Sequence, residues 1–200
     1  MAGSQLHILI IDANRVRASI IEDGLRVGDD VRVTVINDTD GLMKRIVEVD
    51  PDVVFIDLEN PNRDALESMF EVSRVIKRPI AMFVDQSDQE SIERAIEAGV
   101  SAYVVDGLRK ERVRSVLDTA VSRFNAFDKL RRELEETKSE LANRKLIDQA
   151  KTILMETRGL SEPDAYALLR STAMNQNRKM AEIAESLVLA SSLMGGKDGS

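Results

Sequence analysis

Cysteine is absent from all 200 residues, which excludes a disulfide framework and any thiolate metal site. Histidine occurs once, at His7 inside an apolar run, where it reads as a strand side chain rather than a catalytic base or a metal ligand. No stretch approaches the roughly 18 consecutive apolar residues that would suggest a membrane span. The first residues lack the basic and long apolar segments of a secretory signal. These absences predict a soluble, cytoplasmic protein without membrane contact. What is present, 43% apolar residues, suffices for one good core and a smaller second one. The tails, Met1 to Gln5 and Gly195 to Ser200, are expected to be disordered.

Charge is unevenly shared. Residues 1 to 107 carry 11 basic and 21 acidic side chains, net −10, whereas residues 108 to 200 carry 17 and 14, net +3, giving −7 for the chain. The acidic half should repel nucleic acid. The C-terminal half is a weak electrostatic platform, so any nucleic-acid affinity there must lean on stacking and shape.

The acidic half alternates short apolar runs with helical patterns. Strands are predicted at Leu6 to Ile11, Val31 to Val35, Val53 to Ile56, Ile80 to Val84 and Ala102 to Val105. Helices fall near Asn14 to Arg26, Gly41 to Val49, Arg63 to Ile76 and Gln89 to Ala98. Strands this apolar, separated by helices, imply a doubly wound, five-stranded parallel sheet covered on both faces. Its working crevice lies off the C-terminal strand ends, which gathers Asp12, Asp57 and Asp85 into one acidic pocket. Asp12 and Asp57 there are a weak Mg²⁺ candidate, with Asp57 open to a phosphoryl donor; equally, these are solvated strand-end acids.

Val-Val-Phe-Ile-Asp57 after Pro51-Asp52, then Pro61, Asp64-Ala65-Leu66, Glu97-Ala98-Gly99 and Tyr103, resemble a response-regulator receiver domain over residues 5 to 122. The resemblance makes Asp57 the phosphoacceptor candidate. Three working positions depart from it. Ala13 replaces one acid of the pair after the first strand, Val84 replaces a hydroxyl residue, and Asp106-Gly107 replaces Lys-Pro. The receiver is therefore expected to be degenerate, with phosphorylation not its main switch.

From Leu108 the chain reads as one long helix. Val113, Val116, Ala120, Phe127, Leu130, Leu134 and Leu141 keep 3,4 spacing, interrupted by Arg123 and Thr137, and outer positions from Lys129 to Lys145 are dense in mixed charge. Residues 108 to 146 are a coiled-coil candidate that would make a homodimer. The alternative is a single solvated helix packed partly on the sheet domain.

The most informative run is Ala150 to Met180. Leu146, Ala150, Ile153 and Leu154 recur at helical spacing, and Gly159 suits the left-handed turn that ends that helix. Ser161 caps the next helix, with Pro163 tolerated in its first turn and Asp164 favoured by the helix dipole. Ala165, Leu168, Leu169 and Ala173 form its apolar face, and Tyr166 and Arg170 stand side by side at i, i+4 beside that stripe. Asn177, Arg178 and Lys179 open a third helix whose core face is Met180, Ile183, Ala184 and Leu187. Lys151, Arg178 and Lys179 near an aromatic and a guanidinium suit a single-stranded RNA loop, in which bases stack and phosphates pair. The bland alternative is a half-buried tyrosine among ordinary surface charges.

The order of these residues, Ala150-Lys151, Ile153-Leu154-Met155, Ser161 with Ala165, Tyr166, Leu169-Arg170 and Asn177-Arg178-Lys179, resembles the ANTAR domain, an RNA-binding module of antitermination regulators. The resemblance spans residues 143 to 193 and implies an all-α three-helix bundle, with Ala150, Lys151, Tyr166, Arg170, Asn177, Arg178 and Lys179 toward RNA. Thr152 departs from it, standing where the family often has Gly.

Receiver, coiled coil and ANTAR module in this order resemble the antitermination response regulators of two-component systems, most closely the NasT group of nitrate and nitrite assimilation regulators. What that implies is binding of paired hairpin loops in leader transcripts, which blocks terminator formation. It also implies a NasS-like nitrate-sensing protein as partner and no required cofactor, Mg²⁺ at the degenerate receiver aside. The other reading is a DNA-binding response regulator of a phosphorelay, with the third helix in the major groove. That helix is acidic at Glu182 and Glu185, which suits a groove of phosphates poorly. No nucleophile with an adjacent base can be assembled, so an enzyme is not expected.

Overall fold

The computed structural model describes residues 5–26, 30–38, 41–105 and 107–194. The expectations for Met1–Ser4, Asp106 and Gly195–Ser200 lie outside them. The chain forms two compact units, Met1–Asp128 and Lys129–Ser200.

The first unit alternates strand and helix: β1 (Leu6–Ile11), α1 (Arg15–Leu25), β2 (Val31–Ile36), α2 (Leu42–Val49), β3 (Val53–Leu58), α3 (Arg63–Val75), β4 (Ile80–Val84), α4 (Gln89–Glu97) and β5 (Ala102–Val104). The start of α5 (Lys110–Arg158) completes it. The strands form one parallel sheet in the order β2-β1-β3-β4-β5. Both faces are covered, which is why Ile8 through Ile10 and Val53 through Ile56 read as unbroken apolar runs with almost no exposure. One core layer joins Leu42, Ile46, Met69, Phe70 and Ala95 to one sheet face. The other joins Ala18, Ile21 and Leu25 of α1 with Val113, Val116, Leu117 and Ala120 of α5 to the opposite face.

Local signals set the helix starts. Side chains of Asn14, Asn62 and Asp88 accept backbone N–H bonds at the N-termini of α1, α3 and α4. A Cβ on Gly24 would come within 2.8 Å of the Lys110 carbonyl oxygen and of Val113 Cβ, so only glycine allows α1 and α5 to approach this closely. His7 Nε2 lies 2.8 Å from Thr34 Oγ1 across β1 and β2. Strand ends differ slightly from the sequence reading. β2 runs to Ile36, β3 runs to Leu58 so that Asp57 lies inside the strand, and β5 stops at Val104.

The second unit comprises the rest of α5, α6 (Glu162–Gln176) and α7 (Met180–Met194). Ala150 and Leu154 of α5, Ala165, Leu169 and Ala173 of α6, and Ile183 and Ala184 of α7 make its core. Gly159, at φ 65°, accommodates the left-handed turn after α5. α5 is a single helix of 49 residues. No helix among the described residues is long and apolar enough to cross a membrane.

The 3,4-spaced stripe of α5 has two fates. Val113, Val116 and Ala120 are buried against the sheet, whereas Phe127, Leu130, Leu134 and Leu141 are 53 to 63% exposed.

Candidate nucleic-acid interface and acidic pocket

In the helical unit, core burial of Ala165, Leu169 and Ala173 fixes the rotation of α6. Tyr166 lies one position off that stripe and is 43% exposed, with Arg170 one turn further along the same face. Asn177 then closes α6 in the left-handed conformation, at φ 49° and ψ 43°. The Arg178 N–H reaches back to the Ala173 carbonyl at 3.0 Å. This is the reversed turn that ends a helix, and asparagine tolerates it best after glycine. It replaces the expectation that Asn177 opens the third helix, which starts at Met180. The Lys179 carbonyl accepts from Glu182 and Ile183 and caps that helix.

The turn folds the basic pair back toward α6, and Tyr166, Arg170, Met174, Asn177, Arg178, Lys179 and Met180 line one concave surface of about 550 Å³. Arg178 is partly spent there. Its Nε lies 3.3 Å from a Glu182 carboxylate oxygen, and Nη2 donates to Ser186 Oγ at 3.3 Å. Arg170 and Lys179 have no ion-pair partner among the described residues. An exposed aromatic ring flanked by two uncommitted cations can stack a base and neutralise phosphate.

Two residues grouped with this face from the sequence sit elsewhere. Ala150 is fully buried in the core and presents no surface. Lys151 holds α5 to α6, with Nζ 2.8 Å from Asp148 and 2.7 Å from Glu162, and those carboxylates raise its affinity for its proton. Thr152 turns its hydroxyl onto the Asp148 carbonyl of its own helix, at 3.1 Å.

In the sheet unit, Asp12 and Asp57 line a crevice of about 390 Å³ off the C-terminal strand ends, and both are nearly fully buried. Arg17, in the first turn of α1, reaches Asp57 twice and Asp85 twice. Its Nε donates to Asp57 Oδ2 at 2.6 Å and its Nη2 to Asp57 Oδ1 at 2.8 Å. To Asp85 the distances are 3.0 Å from Nη2 and 3.3 Å from Nη1. The bond to Asp57 above all holds the guanidinium proton more firmly than usual. Asp12 accepts the Asn14 N–H at 2.7 Å through Oδ1, while its Oδ2 is buried with no partner among the described residues. Burial first, then the Asp57 charge, pushes Asp12 up to about 6.

Arg17 had no place in the sequence reading. A signal existed, because a cation in a helix first turn opposes the helix dipole and calls for a strong tertiary partner. As arranged, the pocket does not fit Mg²⁺. Arg17 occupies both oxygens of Asp57 and both of Asp85, the Ala13 side chain offers no ligand atom, and of these three aspartates only Asp12 keeps a buried oxygen without a partner among the described residues. No set of three His, Cys, Asp or Glu side chains among the described residues is placed to hold a metal. Val84, at the end of β4, is fully buried and has no hydroxyl to offer.

A parallel sheet in this order with carboxylates at its C-terminal edge is receiver architecture, and the response regulator receiver domain family matches residues 8–118. The chain belongs to that family. The ANTAR domain family matches residues 135–188, which places the chain among response regulators that carry an ANTAR domain. The Transcriptional regulatory protein PdtaR of Mycobacterium tuberculosis is 32% identical over 135 residues, covering 68% of this chain and 66% of PdtaR, just under two thirds. The Nitrate regulatory protein of Klebsiella oxytoca is 41% identical over 61 residues, 30% of this chain and 15% of that protein. A response regulator from Thermotoga maritima superposes with a TM-score of 0.51 at 15% identity, over 59% of this chain and 98% of that one, a likeness of fold alone.

Proposed function

We propose that this response regulator binds RNA through the concave face of α6 and α7, and that it acts as a transcription antiterminator by holding paired hairpin loops of a leader transcript in a form that excludes the terminator. The observation that carries the reading is the exposed Tyr166 ring set beside Arg170 and Lys179, both without ion-pair partners among the described residues. Loop bases stack on the ring while the two cations meet phosphate. The net charge of −10 on residues 1 to 107 keeps that part of the chain off the nucleic acid.

The exposed Phe127, Leu130, Leu134 and Leu141 repeat at coiled-coil spacing, and we assign them to a homodimer that presents two such faces to two loops. The likeness to the Klebsiella nitrate regulator supports nitrate and nitrite assimilation genes as targets. Control then falls to a NasS-like nitrate-sensing protein that masks the RNA face, with the whole system cytoplasmic, where leader transcripts are made. Neither a cofactor nor catalysis is part of this role.

A gel shift with a two-hairpin RNA and with duplex DNA of matched length tests the reading. Retardation of the RNA, with DNA binding weaker by about tenfold or more and lost first as salt rises, is the expected result. Preference for the duplex would turn the assignment to a DNA-binding response regulator.

A further inference from the structure

We propose that Arg17 is the resident cation of the acidic pocket, holding Asp57 and Asp85 in an arrangement that offers a divalent metal no set of three carboxylates among the described residues, and that removing its guanidinium frees them to take one. Its guanidinium makes four hydrogen bonds, two to each of Asp57 and Asp85, across 40 and 68 residues of sequence. The side chain is 16% exposed and that of Asp57 fully buried, so the pair is shielded from water. A planar fork with five donors matches two carboxylates at once, and it keeps its charge at any pH the fold survives. A divalent ion seeking an Asp57 oxygen would have to compete with the Arg17 hydrogen bond already on that oxygen and settle against a fixed positive charge. The arrangement closes the pocket to Mg²⁺ and thereby to metal-dependent chemistry at Asp57. It does so independently of whether α6 and α7 bind RNA.

A metal that binds only when Arg17 is displaced suffers an apparent affinity reduced by the fraction of time the pocket is open. With an open state populated between about 0.1 and 10% of the time, removing the guanidinium should tighten binding roughly ten- to a thousand-fold.

The test is titration of the full chain with Mn²⁺ alone, following the electron-paramagnetic-resonance signal of the free ion. Wild type should leave the signal undiminished to millimolar Mn²⁺. Arg17→Gln should bind one ion, and Arg17→Gln with Asp57→Asn should lose it again. Arg17→Lys, whose single ammonium cannot bridge both carboxylates, should fall between wild type and Arg17→Gln. It serves as the folded comparison if Arg17→Gln unfolds without metal, in which case recovery of the Arg17→Gln fold by Mn²⁺ is also the expected result. Equal Mn²⁺ affinity in wild type and Arg17→Gln overturns the proposal. So does failure of both Arg17 variants to bind, which would make Arg17 an ordinary structural ion pair.

Discussion

Asp12 and Asp57 share a pocket but meet opposite environments, and single substitutions should separate them. Asp57 is paired by Arg17, so Asp57→Asn leaves the guanidinium half-served and should cost about 3 kcal/mol. Asp12 has one buried oxygen without a partner, and its pKa is raised to about 6 from 3.8. A carboxylic acid that binds its proton more tightly when folded contributes stability as pH falls from 6 toward 4, and it opposes folding above 6. Asp12→Asn should therefore stabilise the protein at pH 7.5 by about 2 kcal/mol, and the gain should vanish toward pH 4. Urea melts at several pH values check both; an Asp12→Asn that destabilises at pH 7.5 would contradict the assigned environment. On the other face, Tyr166→Ala should remove about 1 to 3 kcal/mol of stacking, and Arg170→Ala a phosphate contact. Both side chains stand off the core, so circular dichroism should be unchanged. Parallel loss of helicity and RNA affinity would mark them as packing residues instead.

At the scale of elements, the sheet was legible because parallel strands buried on both faces read as plain apolar runs, and Leu6–Ile11 and Ile80–Val84 came out residue for residue. The caps at Ser161 and Gly159 were equally plain, since each residue type has a local reason to be where it is. Asn177 was harder to read. Beside Arg178 and Lys179 it resembles a helix start, and only the left-handed backbone shows it to be an end. The stripe along α5 looked uniform in sequence, yet spacing cannot tell a residue packed on its own sheet, such as Val116, from one left exposed, such as Leu130. Leu130→Asn with Leu134→Asn should yield monomers in sedimentation while leaving the sheet unit folded. It should also abolish the advantage of two loops over one, because that advantage comes from effective concentration. A double variant that stays dimeric and still prefers the paired RNA would remove the coiled coil from the account.

For the molecule as a whole, the sequence announced its two kinds of domain but concealed the state of one of them. Receiver-like runs and ANTAR-like order are local patterns, whereas Arg17 meets its carboxylates only after α1 folds beside β3 and β4. Lys151 shows the same limit, since its residue type suggested phosphate and its place in the fold gives it Asp148 and Glu162. What remains is a chain whose acidic unit carries its own counter-ion and whose helical unit presents uncommitted cations around one aromatic ring. The most direct measurement is ultraviolet cross-linking of the full chain to a two-hairpin RNA, followed by peptide mapping of the adducts. The account predicts adducts within residues 166 to 180, centred on Tyr166 and Met174 and lost with Tyr166→Ala and Arg170→Ala together. Adducts confined to the sheet unit, or spread evenly over the chain and indifferent to those substitutions, would contradict it.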